Sequence, residues 1–326
     1  MHCELVVPAL FTAPAPHPVP ALELLLGRGR KLNGEAASLE RWLCRVFGLK
    51  DGSIPAGALT ALALGENPGA HFWLRADPVH LRLLRERMVL IPSHAFSLTL
   101  EEARSMADTL NRQFAGEFKF HALRPDAWCA QGEQDIAVGS DPPVELAGQD
   151  VDANLPDKRW HALLNEIQMA LHEHAVNATR EVPVNSLWLW GGGWIPAAAK
   201  GPWQSVSADD PVALGLARLA GMRHRAPGAG AEEWLARAPE DGRHLVVLDG
   251  LRGVRALGDA DALGQRLRSL EERWFAPLLA ALKAGSVAMV SVHVPDAAAC
   301  FETVRGDLRR FWRRALPLAA YGGDAA

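Results

Sequence analysis

Leu245-Val-Val-Leu-Asp249-Gly250, a helical segment over residues 261–283 and Val287-Ala-Met-Val-Ser-Val-His293 follow one another as strand, helix and strand. In the middle segment Leu263, Leu267, Leu270, Trp274, Leu278 and Leu282 recur at steps of three and four, which puts them on one helix face turned to a core. The alternation extends to both sides, with helical spacing over 160–178, a strand over 186–190, a helix over 211–220 and a last helix over 304–314. Alternating strands and helices predict an α/β fold, a mainly parallel sheet flanked by helices.

Upstream, residues 5–11 read as an opening strand and the proline-rich residues 14–20 as an extended connection. Helical spacing covers 36–47 and 98–114, where Thr99 and Glu102 suit a capping box, and short strands are expected at 118–121 and 127–130. Residues 223–230 read as a loop. Between 139 and 157 stand Asp141, Glu145, Asp150, Asp152 and Asp157, with three prolines and no basic residue. That stretch is the expected connector between an N-terminal α/β region (1–138) and a C-terminal one (158–326), unless the chain forms one continuous fold.

The 326 residues are 49% hydrophobic and 22% charged, enough apolar material for a sizeable core. A net charge of −4 and a pI near 6.3 lack the general basic footprint of nucleic-acid or membrane-surface binders, so neither partner is expected. Cys3, Cys44, Cys129 and Cys300 lie far apart without a CxxC or Cys/His pair and read as free buried thiols. The first residues lack a basic and apolar leader, and no run of about 18 apolar residues occurs, so the expected location is the cytoplasm.

In an open parallel sheet, ligands gather outside the carboxyl ends of the strands. Three strand ends carry suggestive residues: Gly191, Gly192 and Gly193 after the strand 186–190, Asp249, and His293. The glycines would let a ligand approach backbone amides, while Asp249 and His293 on one rim could bind a metal, exchange protons or bond to each other. Turn chemistry at a strand end is the plain alternative for both. His172 and His174, two apart on a helix, point in different directions and cannot both hold one ion. Arg75, Asp77 and His80 lie beside Trp73 and His71, a set able to grip a carboxylate or phosphate, or else to pair internally. Arg305, Arg309, Arg310, Arg313 and Arg314 among Phe301, Leu308, Phe311 and Trp312 read as a basic amphipathic helix, a solvated face or a partner-binding one. The eleven tryptophans mostly occupy apolar stripes and belong to the core.

Asn165-Glu-Ile-Gln-Met169, Leu171-His-Glu-His174, Val176-Asn177, Arg180 and Val184-Asn-Ser-Leu-Trp-Leu-Trp-Gly-Gly-Gly193 together resemble the signature of RpfE-type regulatory proteins. Trp73-Leu-Arg-Ala-Asp-Pro-Val-His-Leu81 and Arg310-Phe-Trp-Arg313 are similar to two further blocks of that family. Through His174, Asn177, Arg180 and the strand from Asn185, the chain also resembles a segment of archaeal-type cofactor-independent phosphoglycerate mutases of the alkaline phosphatase superfamily. The resemblance implies an alkaline-phosphatase-like core with a smaller N-terminal or inserted part. It also implies a two-metal phosphoryl-transfer centre, whose first strand ends in Asp-Gly and whose later loops supply an Asp-His dipeptide. Here the first strand has no aspartate, Asp-His does not occur, and the comparable Asp-Gly is Asp249-Gly250.

The expectation is therefore a phosphoglycerate-mutase-like, non-catalytic protein, without a cofactor, that binds a small anion or acts as a regulator. Arg75, Asp77, His80, His174, Asn177, Arg180, Asn185, Gly191, Gly192 and Gly193 are its ligand-binding candidates. One alternative is a phosphomutase or phosphatase with an altered manganese or zinc centre held by Asp249 and His293. The other is a protein-interaction module built on the basic C-terminal helix.

Overall fold

The computed structural model describes residues 1–11, 18–50, 52, 54–84, 87–132, 141–151, 158–238 and 241–322, the side chains of 158–160 excepted. Its strands are β1 (His2–Val6), β2 (Arg30–Asn33), β3 (Phe72–Leu84), β4 (Arg87–Pro92), β5 (Phe118–Ala122), β6 (Trp128–Gly132), β7 (Ser186–Gly193), β8 (Ser205–Ser207), β9 (Arg223–Arg225), β10 (Arg243–Val247), β11 (Met289–Val294) and β12 (Ala299–Val304). The helices are α1 (Pro20–Arg28), α2 (Leu39–Val46), α3 (Ala56–Ala63), α4 (Leu100–Gln113), α5 (Lys158–His172), α6 (Pro211–Leu219), α7 (Ala231–Arg237), α8 (Gly250–Leu257), α9 (Ala260–Leu270) and α10 (Ala276–Ala284). They fall into two compact units, Met1–Leu49 with Ala198–Ala326, and Lys50–Ala197. The second is thus an insertion in the first, and the acidic stretch 139–157 falls within it. There Asp150 and Ala147 bridge to Val89 and Leu90 of β4, while 139–140 and 152–157 lie outside the described residues.

The first unit is the expected α/β body. Its sheet runs β2-β12-β11-β1-β10-β8-β9, with β9, β8, β10, β1 and β11 parallel, β12 antiparallel to β11, and β2 antiparallel to β12 at the edge. The strand, helix and strand read from 245–293 are present, but β10 and β11 are not partners. The first strand lies between them, Val6 in register with Val247 on one side and His293 on the other. It starts earlier than expected and ends at Val6, ahead of Pro8, a residue with no N–H for a ladder. Cys3, Leu5, Val246, Val290 and Val292 turn one sheet face to a core closed by α1, Leu263, Leu267, Trp274, Leu278 and Leu282.

The helix expected over 261–283 is α9 and α10 joined by a π turn at Glu271–Phe275. Pro277 opens α10 and cannot donate to the preceding turn, so the wider i→i+5 pattern relieves the missing bond. The buried Glu271 carboxylate of that turn accepts the Ala21 and Leu22 amides at 2.6 and 3.1 Å, satisfying the free donors that start α1. Residues 223–225 form an edge strand rather than part of a loop. The basic helix over 304–314 does not form: 299–304 alternate buried and half-buried positions as β12, Gly306 follows, and only Asp307–Arg309 makes a 3-10 turn. That alternation has period two, and the pairing with β11 wins over the helical spacing of the arginines.

The second unit is an antiparallel sheet, β4-β3-β6-β5, with β7 on the other edge of β3. The strand 186–190, read as part of the parallel sheet, instead pairs antiparallel with β3 and runs on through the three glycines. One sheet face packs on α4 and α5 through Phe72, Leu74, Met106, Leu110, Ile167 and Leu171. Helix α4 starts with the expected Thr99–Glu102 capping box. Helix α3, in which four alanines and Gly57 leave the surface shallow, lies directly on β3 and β7. A Cβ at Gly57 would come within 2.4 Å of the Leu74 backbone, a contact no rotamer change relieves. Gly57→Ala is therefore expected to cost about 2 kcal/mol or more in urea unfolding. A cost under about 0.5 kcal/mol would show that the helix is not held this close.

Candidate functional site

The carboxyl edge of the parallel strands is where the first unit concentrates unusual chemistry. Beyond β1 the backbone of Ala9 adopts φ 64°, and beyond β11 Ala298 adopts φ 53°. Left-handed conformations at residues bearing a Cβ persist only where surrounding bonds impose them. The Asp296 carboxylate accepts the Ala9 amide at 2.9 Å, and the Ala298 carbonyl accepts the Gly34 amide at 2.7 Å. Beside the loop that holds Ala298 opens a cleft of about 240 Å³, lined among others by Asn33, Glu35, Trp42, Arg45, His293 and Cys300.

Behind the cleft lies Glu4, a buried carboxylate in β1. It accepts Arg243 Nε at 2.7 Å and faces His293 Nε2 at 3.3 Å and His2 Nδ1 at 3.6 Å. Burial works to raise its pKa, but the bonds from His293 and Arg243 and the charge of His2 outweigh it and hold the carboxyl at about 2. Glu4 is therefore ionised and can only accept, which makes His293 Nε2 the protonated donor. Cys300 Sγ lies 4.0 Å from that same nitrogen, so His293 has no lone pair directed at the thiol. Burial, then the charges of Glu302 and Glu4, pushes the Cys300 thiol up to about 12. Cys300 and His293 are thus not a nucleophile and base, since the reactive form of cysteine is the thiolate. Trp42 flanks the imidazole, ring centroids 5.1 Å apart.

Across β1, on the β10 side, a second group is buried. Arg252 of α8 makes a two-pronged bond to Glu40 of α2, at 2.9 and 3.2 Å, with both side chains out of water. Asp210 follows β8 and caps α6, accepting the Ala213 amide at 2.8 Å. Burial first, then the charges of Glu40 and Asp249, pushes the Asp210 carboxyl up to about 7. Asp249 is also raised by burial, while Arg252 pulls it back. Arg252 is the positive charge on which these carboxylates converge. Among the described residues no three His, Cys, Asp or Glu side chains are arranged to hold a metal ion. The manganese or zinc centre written on Asp249 and His293 thus has no supporting donor set: Asp249 interacts with Arg252 and Glu40, His293 with Glu4, Cys300 and Trp42.

The ligand-binding candidates lie in the second unit, and their polar groups bond within the protein. Arg75 reaches Asp77 Oδ1 through Nε and Nη2 at 3.0 and 2.6 Å and Thr60 at 3.2 Å, and stacks over Trp190. Trp190 Nε1 completes Asp77 at 2.7 Å. Burial raises the Asp77 carboxyl, and Arg75 opposes that. Alternate residues of a strand share a face, which lets Arg75 and Asp77 meet there. His80 bonds the Pro183 carbonyl at 2.9 Å, and Asn185 pairs with both backbone groups of Leu81 at 2.8 and 2.9 Å. His174 accepts the Val176 amide, and Asn177 ties the Leu171 and Val184 carbonyls and the Val184 amide together. Arg180 bridges Glu102 and the Ser97 carbonyl. These residues fasten the return from α5 into β7. The glycines serve packing: a Cβ at Gly191 would meet Ala56 at 2.5 Å and one at Gly193 would meet Pro55 at 2.9 Å, while Gly192 is buried between them.

Glu4, Glu40, Trp42, Arg45, Asp210 and Arg252 belong to no motif. Weak local signals exist for two: Glu4 is a lone carboxylate in an apolar strand, and Asp210 precedes Pro211 at a helix start. Asp210 also gives a test of the buried group. Stability linked to its neutral form is complete below its ordinary value and is lost as pH rises to about 7. Asn keeps the cap without the charge. Asp210→Asn is therefore expected to raise the melting temperature near about pH 8, with the gain vanishing near about pH 4. A shift that does not change with pH would contradict the assigned burial.

No protein-family model and no curated protein matches this chain. Among solved structures, the cofactor-independent phosphoglycerate mutase from Thermoplasma acidophilum aligns over 98% of this chain and 94% of its own at 18% identity and a TM-score of 0.45. The PH0037 protein from Pyrococcus horikoshii aligns over 99% of this chain and 92% of its own at 12% identity and a TM-score of 0.54. At such identities likeness concerns fold alone, and it is the fold that this chain has in common with the PH0037 protein.

Proposed function

We propose that this chain is a phosphoglycerate-mutase-like protein that performs no phosphoryl transfer and acts as a small-anion-binding regulatory protein. The observation that carries this reading is the division of labour along the rim of the parallel sheet. On one side the carboxylates that a catalytic cation would need converge on Arg252. On the other, the cleft offers hydrogen-bond donors: the Arg45 guanidinium, Asn33, and the indole of Trp42. Glu4 holds the proton of His293 on Nε2, so the neutral ring itself adds no donor to the cleft. Arg45 is held by Glu35 at 3.0 Å, and Glu35 is largely exposed, so an entering anion can displace it at little cost. A compact phosphate or carboxylate suits a cleft of this volume. The regulatory part of the reading rests on the RpfE-type blocks around Trp73, His174 and Trp188.

The test has two arms on the purified full chain. Turnover of 3-phosphoglycerate and of a chromogenic phosphomonoester, with added manganese or zinc, is expected to stay at the level of heat-inactivated protein. Inorganic phosphate and 3-phosphoglycerate are expected to raise the melting temperature saturably, and Arg45→Ala to abolish that rise. Metal-dependent turnover lost in Asp249→Ala would replace this reading with an enzyme. A thermal shift unchanged in Arg45→Ala would remove the cleft as the anion site.

A further inference from the structure

The segment after β12 stands apart from the cleft and carries a different chemistry. Phe311 and Trp312 are 79% and 68% exposed, and their rings pack edge to face with centroids 5.2 Å apart. Leu316 is exposed close by in sequence. Five arginines against one aspartate between 305 and 314 give a local charge of +4 on a chain whose net charge is −4. Arg305, Arg309 and Arg314 are exposed, with no side-chain bond or ion pair among the described residues.

This is an anchored surface. Asp307 holds Arg310 at 2.9 Å, and Arg313 donates to the Gly29 carbonyl at 2.9 Å. Further along, the Leu316 amide donates to the Tyr321 hydroxyl at 2.9 Å and the Leu318 amide to Glu23 at 3.0 Å. Residues on both sides of the aromatic pair are therefore tied to the unit, and the pair is presented outward at a reduced ordering cost on binding.

We propose that this segment docks an acidic polypeptide stretch of a partner protein, with Phe311 and Trp312 taking apolar side chains and Arg305, Arg309 and Arg314 taking carboxylates. Arginine, tryptophan and phenylalanine without lysine is the composition that protein interfaces favour. Guanidinium forks grip carboxylates through two parallel bonds. Charges are screened beyond about 8 Å at physiological ionic strength, so a short acidic stretch meets the local positive charge. A nucleic-acid backbone or an anionic bilayer is an extended surface and would also meet the rest of a molecule that is negative overall.

The experiment is a fluorescence-anisotropy titration of the full chain against a labelled glutamate-rich peptide carrying one Trp-Leu pair. Its glutamine counterpart, vesicles of phosphatidylserine with phosphatidylcholine, and a labelled oligothymidine serve as rivals. Saturable, salt-sensitive binding of the acidic peptide is expected, weakened about tenfold or more in both Phe311→Ser/Trp312→Ser and Arg309→Gln/Arg314→Gln, a loss of about 1.4 kcal/mol or more. Both pairs are exposed, and circular dichroism melts should match wild type. No saturable binding of the acidic peptide, binding unchanged in either variant, equal affinity for the glutamine peptide, or tighter binding to vesicles or oligothymidine would each overturn the proposal.

Discussion

A guanidinium or carboxylate taken out of water must meet an opposite charge or give up its own, because the desolvation cost reaches several kcal/mol per ion even after relaxation. In the first unit the buried ion pair between Arg252 and Glu40 answers that constraint, and the carboxyl edge of the parallel sheet depends on it. The pair links α8 to α2 across 212 residues of chain. The Arg252 charge also acts on Asp249 and Asp210, pulling both carboxyls down. At Asp210 burial, with the charges of Glu40 and Asp249, outweighs that pull, and the carboxyl rises to about 7.

The same helix serves the cleft. Glu40 turns inward from α2, while Trp42 and Arg45, two and five residues on, line the opening next to His293. Fixing one edge of α2 by a buried ion pair therefore fixes the other edge as a binding surface. Glu4 does the complementary task from the sheet, since its ionised carboxylate settles which nitrogen of His293 bears the proton and leaves Cys300 a neutral thiol. The outcome is a site well supplied with donors and poor in nucleophiles, which suits recognition of an anion more than its transformation.

Local physics was legible in the chain, and long-range pairing was not. The Thr99–Glu102 capping box, the apolar face of α9 and α10 and the strands at 245, 287 and 186 follow from spacing within a few residues. The insertion of β1 between β10 and β11 could not be read, because partners more than two hundred residues apart leave no periodic trace. Arg75, Asp77, His174, Asn177, Arg180 and Asn185 looked like a ligand set because polar residues close in sequence suggest a site. In three dimensions they bond to Trp190, Leu81, Val184 and Glu102, partners that their spacing in the chain does not reveal. The C-terminal arginines misled for the reverse reason: their helical spacing was real, but β12 takes 299–304 and Gly306 follows.

The measurement that bears most directly on this account is a double-mutant cycle on Glu40 and Arg252, read by urea unfolding. Removing one partner strands a buried charge, so Glu40→Leu and Arg252→Met are each expected to cost about 3 kcal/mol or more. The double variant should cost clearly less than the sum, because neither charge then remains. Single costs below about 0.5 kcal/mol, or costs that simply add, would show that the pair does not neutralise the rim and that its carboxylates are free to serve another cation.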